Sequence, residues 1–466
     1  MYAFKCLLLF GTVVSAIRLN AQSTNEATVR ASARKPVPSP EPGELGEMLR
    51  LADSVNPSIL AAKARVAAAR GRVGPTSAWP DPMLMAGIQN LPLGTMNSQG
   101  MAMSSPPGDD MTMKMVGVSQ TIPYPGKSGI RRQIAEREVD AASAVVQTSS
   151  LAVARDIRKA FFELAYLDRA LEIVSGSQSV MTNIIGVAEA HYASGSGGQQ
   201  DVLKARVDAA RLGEVASALL EQRRSTIAEL NGLLDRESAT PIDVPTIPER
   251  ITRAALGRDP GQIRFATQSL GSRAADSPIP PLDALQQMAL SQNPRLRELR
   301  AAVAAQAARV ALAQKAIKPD VDVSLQYGQR NQRPDMISAI VSIPLPLHKR
   351  SRQDQEISEA RADLAAMQAE EKAEANKVRV QVASLVSDLE RSRTQLALYA
   401  KAILPQGRAA VSSSLASYQV GKADLLSVLD NQATLFAYET ANYRALTDFA
   451  KTLADLEAVV GGEVLP

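Results

Sequence analysis

Methionine is the residue type whose placement in this chain most suggests chemistry. Eight of the 14 methionines stand between Met83 and Met115: Met83, Met85, Met96, Met101, Met103, Met111, Met113 and Met115. Thioether sulfur is a soft ligand suited to Cu(I) and, by the same softness, to Ag(I). The spacings Met101-x-Met103 and Met111-x-Met113-x-Met115 put sulfurs on one face of a strand. The same side chains also serve as apolar filling of a strand face or a loop. Little else here can do chemistry. Two isolated histidines, His191 and His348, and one cysteine, Cys6, complete the set. His191 can titrate near neutral pH or stand as a solvated surface residue. No Gly-rich phosphate loop, HExxH, CxxC or nucleophile elbow is present. The chain reads as a protein other than an enzyme, with no cofactor. A net charge of +4 with 21% charged residues and no basic stripe excludes a nucleic-acid partner.

The elements that position these residues come in two copies. Tyr192, Gly195, Val202, Leu203, Ala228 and Leu230 recur 226 residues later as Tyr418, Gly421, Val428, Leu429, Ala454 and Leu456. Asn56, Pro57, Val66, Arg72, Val73 and Pro82 recur 237 residues later as Asn293, Pro294, Val303, Arg309, Val310 and Pro319. The fall in offset places 11 extra residues in the first copy, in the methionine-rich loop. Duplication of this kind points to a symmetric assembly rather than to an enclosed active site.

Five segments follow from patterning. Residues 1–21 read as a signal peptide, with Lys5 before an apolar run and Leu19-Asn20-Ala21 before the cut. Residues 22–43 are Ser/Pro/Arg-rich and read as disordered. Residues 44–236 form the first repeat, with strands at about 83–89 and 111–122 making a long-looped hairpin. Residues 237–281 are Pro-rich and irregular, a linker joining the halves at mid-height. Residues 282–462 form the second repeat, with strands at about 321–327 and 337–343. Helices are expected over 44–77, restarting at Asn56-Pro57, and over 127–192, 199–234, 282–317, 350–418 with a kink at Pro405, and 424–460.

Length constrains the architecture. The helices over 127–192 and 350–418 hold 66 and 69 residues, each about 100 Å at 1.5 Å per residue. Their neighbours over 44–77 and 199–234 hold 34 and 36, so two stacked end to end match one long helix. No segment after the signal is apolar for the roughly 18–20 residues of a membrane helix, so a membrane span must be a β-barrel. Four strands cannot close one, since the smallest have about eight. Three chains would give twelve strands above a ring of twelve helical columns.

This pattern resembles the TolC-like outer-membrane efflux family. The residues that carry the resemblance are Ala52-x-x-x-Asn56-Pro57 and Ala289-x-x-x-Asn293-Pro294 at the repeat starts. Val118-Ser119-Gln120-x-Ile122-Pro123 and Val341-Ser342-Ile343-Pro344 stand before the long helices. Tyr192-x-x-Gly195 with Asp201-Val202-Leu203, and Tyr418-x-x-Gly421 with Val428-Leu429, mark the turns. The stretch from Ile122 through Pro123, Tyr124, Pro125 and Gly126 to Lys127 resembles the junction of the heavy-metal (CusC- and CzcC-like) branch. The resemblance implies a mainly α fold with a small β part. A homotrimer would form a 12-stranded outer-membrane barrel, set in lipid, on a periplasmic α-helical barrel. It implies a passive channel partnered by a periplasmic adaptor protein and an inner-membrane efflux pump. The lipobox cysteine of some members is absent, so no lipid anchor is expected.

The resemblance also assigns the tip of the helical barrel. In that family, acidic residues six and nine positions after each turn glycine narrow the pore. Those positions hold Asp201 and Lys204 in the first copy, Ser427 and Asp430 in the second. Asp201 and Asp430 match by type, and Ser427 departs. A carboxylate ring in a narrow pore attracts cations and repels anions; the alternative is pairing with neighbouring Lys or Arg at helix ends. Tyr192, Gly195, Tyr418 and Gly421 form the adaptor-facing turns, glycine supplying positive φ and tyrosine capping the packing below. Met101, Met103, Met111, Met113 and Met115 remain the candidate metal contacts. A periplasmic coiled-coil adaptor is the rival class, which leaves the paired strands unexplained. Metal ions, organic drugs and secreted peptides all stay open as cargo.

Overall fold

The computed structural model describes residues 44–90, 112–243, 246–256, 279–330, 333–345, 347 and 349–465. The expected signal peptide (1–21), the segment 22–43, Met101, Met103, Met111 and His348 lie outside them. The chain divides at Arg50 into two units, Met1–Arg50 and Leu51–Pro466. The described part of the first is the opening of helix α1 (Glu44–Val55). The second holds the rest.

Helix restarts come first. The expected helix over 44–77 is two, α1 and α2 (Pro57–Ser77). Asn56 has extended backbone and its side chain accepts from the Ser58 N–H, while Pro57 takes the first helical position, where no N–H is needed. The second copy splits likewise into α6 (Leu282–Gln292) and α7 (Pro294–Ala316), where Asn293 accepts from the Leu296 N–H at 3.1 Å. Pro57 and Pro294 each remove the N–H a continuous helix would require.

The remaining elements in chain order are β1 (Met83–Gln89), β2 (Met113–Ile122), α3 (Lys127–Ala193), α4 (Gln199–Leu233), α5 (Glu249–Leu256), β3 (Val321–Arg330), β4 (Met336–Ser342), α8 (Gln353–Leu398), α9 (Leu404–Gln419) and α10 (Leu425–Val460). Helix α5 lies inside the segment read as irregular; Ile251, Ala254 and Ala255 are buried on one side, a pattern too short to stand out in a Pro-rich stretch. The helix expected over 350–418 is interrupted by a π turn, Tyr399–Ile403, before Pro405. The Leu404 N–H bonds the Tyr399 carbonyl, so the extra residue sits just ahead of the proline and absorbs the kink. Helix α3, without an interior proline, runs unbroken for 67 residues.

Packing joins the copies. Helix α3 packs on α2 and α4 of its own repeat and on α7 and α10 of the other, while α8 packs on α7 and α10. The half-length helices meet end to end. The Asn56 side-chain amide donates to the Leu233 carbonyl at 2.8 Å, and Asn293 donates to the Val459 carbonyl at 2.8 Å. The duplicated Asn-Pro therefore caps one helix and ties it to the end of the next. Along α3, Ile157, Phe161, Phe162, Leu164 and Leu167 are buried; on α10, Phe449, Leu453 and Leu456 are.

The strands form one antiparallel sheet in the order β1-β2-β3-β4. Register fixes two unlike faces. Leu84, Ile88, Val116, Val118, Leu325, Tyr327, Ile337 and Val341 share one, and all are exposed. The other carries Met, Gly, Ser, Gln and Asp. Strand β3 runs three residues past the expected end at Tyr327, since Gly328 to Arg330 still pair with β2. Among the described residues no helix is long and apolar enough to cross a membrane.

Candidate functional site

The two helical turns are built on one plan. Gly195 and Gly421 have φ of 72° and 69°, a region that costs a side chain about 1 kcal/mol or more. The Gly421 N–H bonds the Tyr418 carbonyl at 2.9 Å and the Lys422 N–H bonds the Ser417 carbonyl at 2.8 Å, which ends α9. In the first copy the Gly195 N–H bonds the Tyr192 carbonyl, and Ser196 and Gly197 both donate to the His191 carbonyl. The return helix α10 starts at Asp424, whose carboxylate accepts from the Ser427 N–H at 2.8 Å. Helix α4 has no side-chain cap; instead Asp201 stands in its first turn, where the helix dipole favours negative charge.

The fold brings these turns together. Met181 and Ile184 of α3, Ala205 of α4, Tyr418 of α9 and Leu425, Val428 and Leu429 of α10 form one buried cluster. Above it lies a cavity of about 680 Å³ lined by both turns, including His191, Asp201, Lys204, Tyr418 and Leu426. Tyr418 is 4% exposed and fills the role expected of it. Tyr192 does not: it is 51% exposed and points away from that packing, because His191 takes the inner place and lies 5.0 Å from the Tyr418 ring. Burial, and then the Asp201 charge, push the Tyr418 hydroxyl above its ordinary pKa. That hydroxyl has no hydrogen-bond partner among the described residues. Asp201 is half-buried, and Ser427 and Asp430 are exposed. Neither aspartate forms an ion pair among the described residues.

A second polar constellation was not anticipated. Glu163 is buried on α3 and accepts from Arg444 at 2.9 Å and from Lys451, both on α10 of the other repeat, and from Gln222 of α4. Burial works to raise its pKa, but the hydrogen bonds and charges of Lys451 and Arg444 outweigh it and hold the carboxyl below its ordinary value. Asp455 pairs with Lys159 at 3.1 Å one turn further along. A carboxylate inside the apolar run Phe161-Phe162-Glu163-Leu164 is the signal that could have found it. At the strand-to-helix junction, Lys127 is buried and pairs with Asp320 at 2.7 Å, and Asp320 also accepts from the Tyr124 N–H. This clamps the first repeat's junction to the start of β3.

Of the candidate metal contacts, Met113 and Met115 lie on β2, both half-buried. No cluster of His, Cys, Asp and Glu able to hold a metal occurs among the described residues.

Helical columns that end in paired glycine turns, joined to a sheet with one exposed apolar face, define a subunit of a membrane channel with a helical extension. The sequence pattern of the outer membrane efflux protein family matches residues 48–235 and 285–462, and the chain belongs to that family. It is similar to the cobalt-zinc-cadmium resistance protein CzcC of Cupriavidus metallidurans, 25% identical over 67% of this chain and 68% of that one. Its fold matches the outer-membrane channel OprN at 16% identity and a TM-score of 0.72, covering 91% of both chains. It matches CusC, whose structures concern transmembrane channel formation, at 15% identity and a TM-score of 0.71, covering 90% of this chain and 92% of that one. The protein is an outer-membrane efflux channel with a periplasmic helical barrel, from a family of channel proteins that are trimeric and work with an adaptor and a pump. The coiled-coil adaptor alternative is set aside with it.

Proposed function

We propose that three copies of this chain close a twelve-stranded barrel and act as the passive exit duct of a tripartite system, fed by an inner-membrane pump through a periplasmic adaptor. Heavy-metal cations are the proposed cargo class, supported by the similarity to CzcC. The observation that carries the reading is the open four-stranded sheet. Among the described residues strands β1 and β4 each have a bare edge, and the apolar face is exposed, with Leu84 and Ile337 both 75% accessible. Neither is stable in water or lipid unless edges pair between copies and the apolar face meets hydrocarbon.

In this arrangement the turns carrying Gly195 and Gly421 face the adaptor, with Tyr192 and Leu426 as exposed contact residues. Asp430, Ser427 and Asp201 line the narrowest part of the pore. The test is single-channel conductance of the purified protein in planar bilayers, wild type beside Asp430→Ala. Cation-selective trimeric pores whose selectivity falls at least about twofold on substitution support both the duct and its carboxylate ring. Unchanged selectivity removes Asp430 from the aperture, and absence of any pore overturns the duct.

A further inference from the structure

The register assigns every described methionine of the sheet to a single face. Met83 pairs with Ser119, Met85 with Gly117, Gly87 with Met115, and Gln89 with Met113. Met113 pairs with Arg330 and Met115 with Gly328; Gly328 pairs in turn with Met336. Met83, Met85, Met113, Met115 and Met336 therefore stand on the face opposite Leu84, Val116, Val118, Leu325 and Val341. Apolar filling does not explain this. A chain that used methionine as a generic apolar residue would place it on the apolar face, and there the sheet uses Val, Leu and Ile instead. On the methionine face the other side chains are mostly Ser, Gln, Thr, Asp and Gly, with Arg330 and Ile340 the exceptions.

The methionines also converge at one level. Met115, Gly328 and Met336 lie in a single row across three strands. Gly328 has no side chain, and the Met113 sulfur occupies the space above it, 2.8 Å from where a Cβ would be. Its direct neighbour in the next strand is Met336, whose sulfur accepts from Arg330 Nη1 at 3.4 Å. Gly328 and Met336 are cross-strand partners, about 5 Å apart, so the Met113 sulfur over Gly328 is within reach of the flexible Met336 thioether, and Met115 stands on the other side of Gly328. In a closed barrel the apolar face meets lipid, so this face lines the lumen.

We infer that Met113, Met115 and Met336 form a thioether surface inside the barrel that binds soft monovalent cations, Cu(I) or Ag(I), weakly as they leave, with Met83 and Met85 extending it towards the helices. The inference rests on the duct reading and narrows its cargo. Neutral sulfur ligands favour soft ions over Zn(II) and Co(II), which prefer imidazole and carboxylate, and the described residues hold no His, Cys, Asp and Glu cluster for the latter. Arg330 would give up its contact with Met336 when an ion binds.

The experiment uses the processed protein in detergent, which keeps no thiol once the segment holding Cys6 is removed; any uncleaved protein is made as Cys6→Ser. Ag(I) is titrated with the methionine methyl carbons labelled for NMR, and Zn(II) is the control. The expected result is Ag(I)-dependent shifts of Met113, Met115 and Met336, and at least a tenfold loss of Ag(I) affinity in the triple variant Met113→Leu, Met115→Leu, Met336→Leu. Zn(II) should produce no shifts. Undiminished Ag(I) binding by the triple variant, or equal shifts with Zn(II), overturns the inference. Leucine keeps volume and apolarity, and bilayer conductance of the same variant checks the barrel. If conductance is lost, the single variant Met115→Leu is titrated instead, against the same two outcomes. Pores that form and fail to bind Ag(I) sink this inference and leave the duct intact.

Discussion

Glu163 shows how much one buried carboxylate holds in this protein. It joins α3 to α10 through Arg444 and Lys451, and so joins the two repeats. Glu163→Ala leaves two cations facing an emptied, mostly buried position, at a cost of about 2 kcal/mol, moderated because Arg444 reaches solvent. Because its folded pKa is lowered, its contribution is complete above the ordinary carboxylate value of about 4.3 and is lost as pH falls through the folded value. The difference in thermal midpoint between wild type and Glu163→Gln should be full at pH 7 and shrink as pH falls through the lowered folded value. A difference independent of pH would mean that packing, and not charge, holds the site. Asn293 offers a second test. Asn293→Ala removes both the cap on Leu296 and the link to Val459, for about 1–2 kcal/mol, and Asn56→Ala should match it. The duplication made both asparagines visible in the sequence. What they bond to was not visible, since Leu233 and Val459 lie 177 and 166 residues away and offer only backbone carbonyls.

At the level of elements, the turns answer to glycine. Gly421→Ala forces a side chain into positive φ and should destabilise the α9–α10 turn by about 1 kcal/mol, read as faster amide exchange at Lys422 and Ser427 with the α3 core unchanged. Equal exchange in both proteins would show that the turn is held by Tyr418 and Leu425 alone. Helical periodicity made the long helices legible, and the offset made the extra loop residues in the first copy legible. The inequality of Tyr192 and Tyr418 was not. Both precede the turn glycine by three positions, and only the third dimension puts His191 where a second tyrosine would pack. The kink at Pro405 was legible as a break, but its form as a π turn depends on how α9 must re-enter the packing against α10.

For the whole molecule, the two faces of the sheet predict opposite responses to the same charge. Val118→Lys places an ammonium on the lipid side of β2 and should cost about 2–4 kcal/mol near the bilayer midplane, seen as loss of heat-resistant trimer in folding assays with lipid vesicles. Gln326→Lys, on the other face, should leave trimer yield unchanged and lower cation conductance. Reversal of the two results would exchange lumen and lipid. The strands were readable from period-2 patterning, yet which face met lipid required the register of all four.

The bare edges of β1 and β4 also bear on inheritance. If closure takes three chains in a ring, a subunit that can be joined at one edge and not at the other spoils every ring it enters. A cell making equal amounts of intact and edge-blocked chains would then assemble only about one intact ring in eight, if subunits mix at random. Such an allele would be dominant, and export would fall far below the half expected from gene dosage.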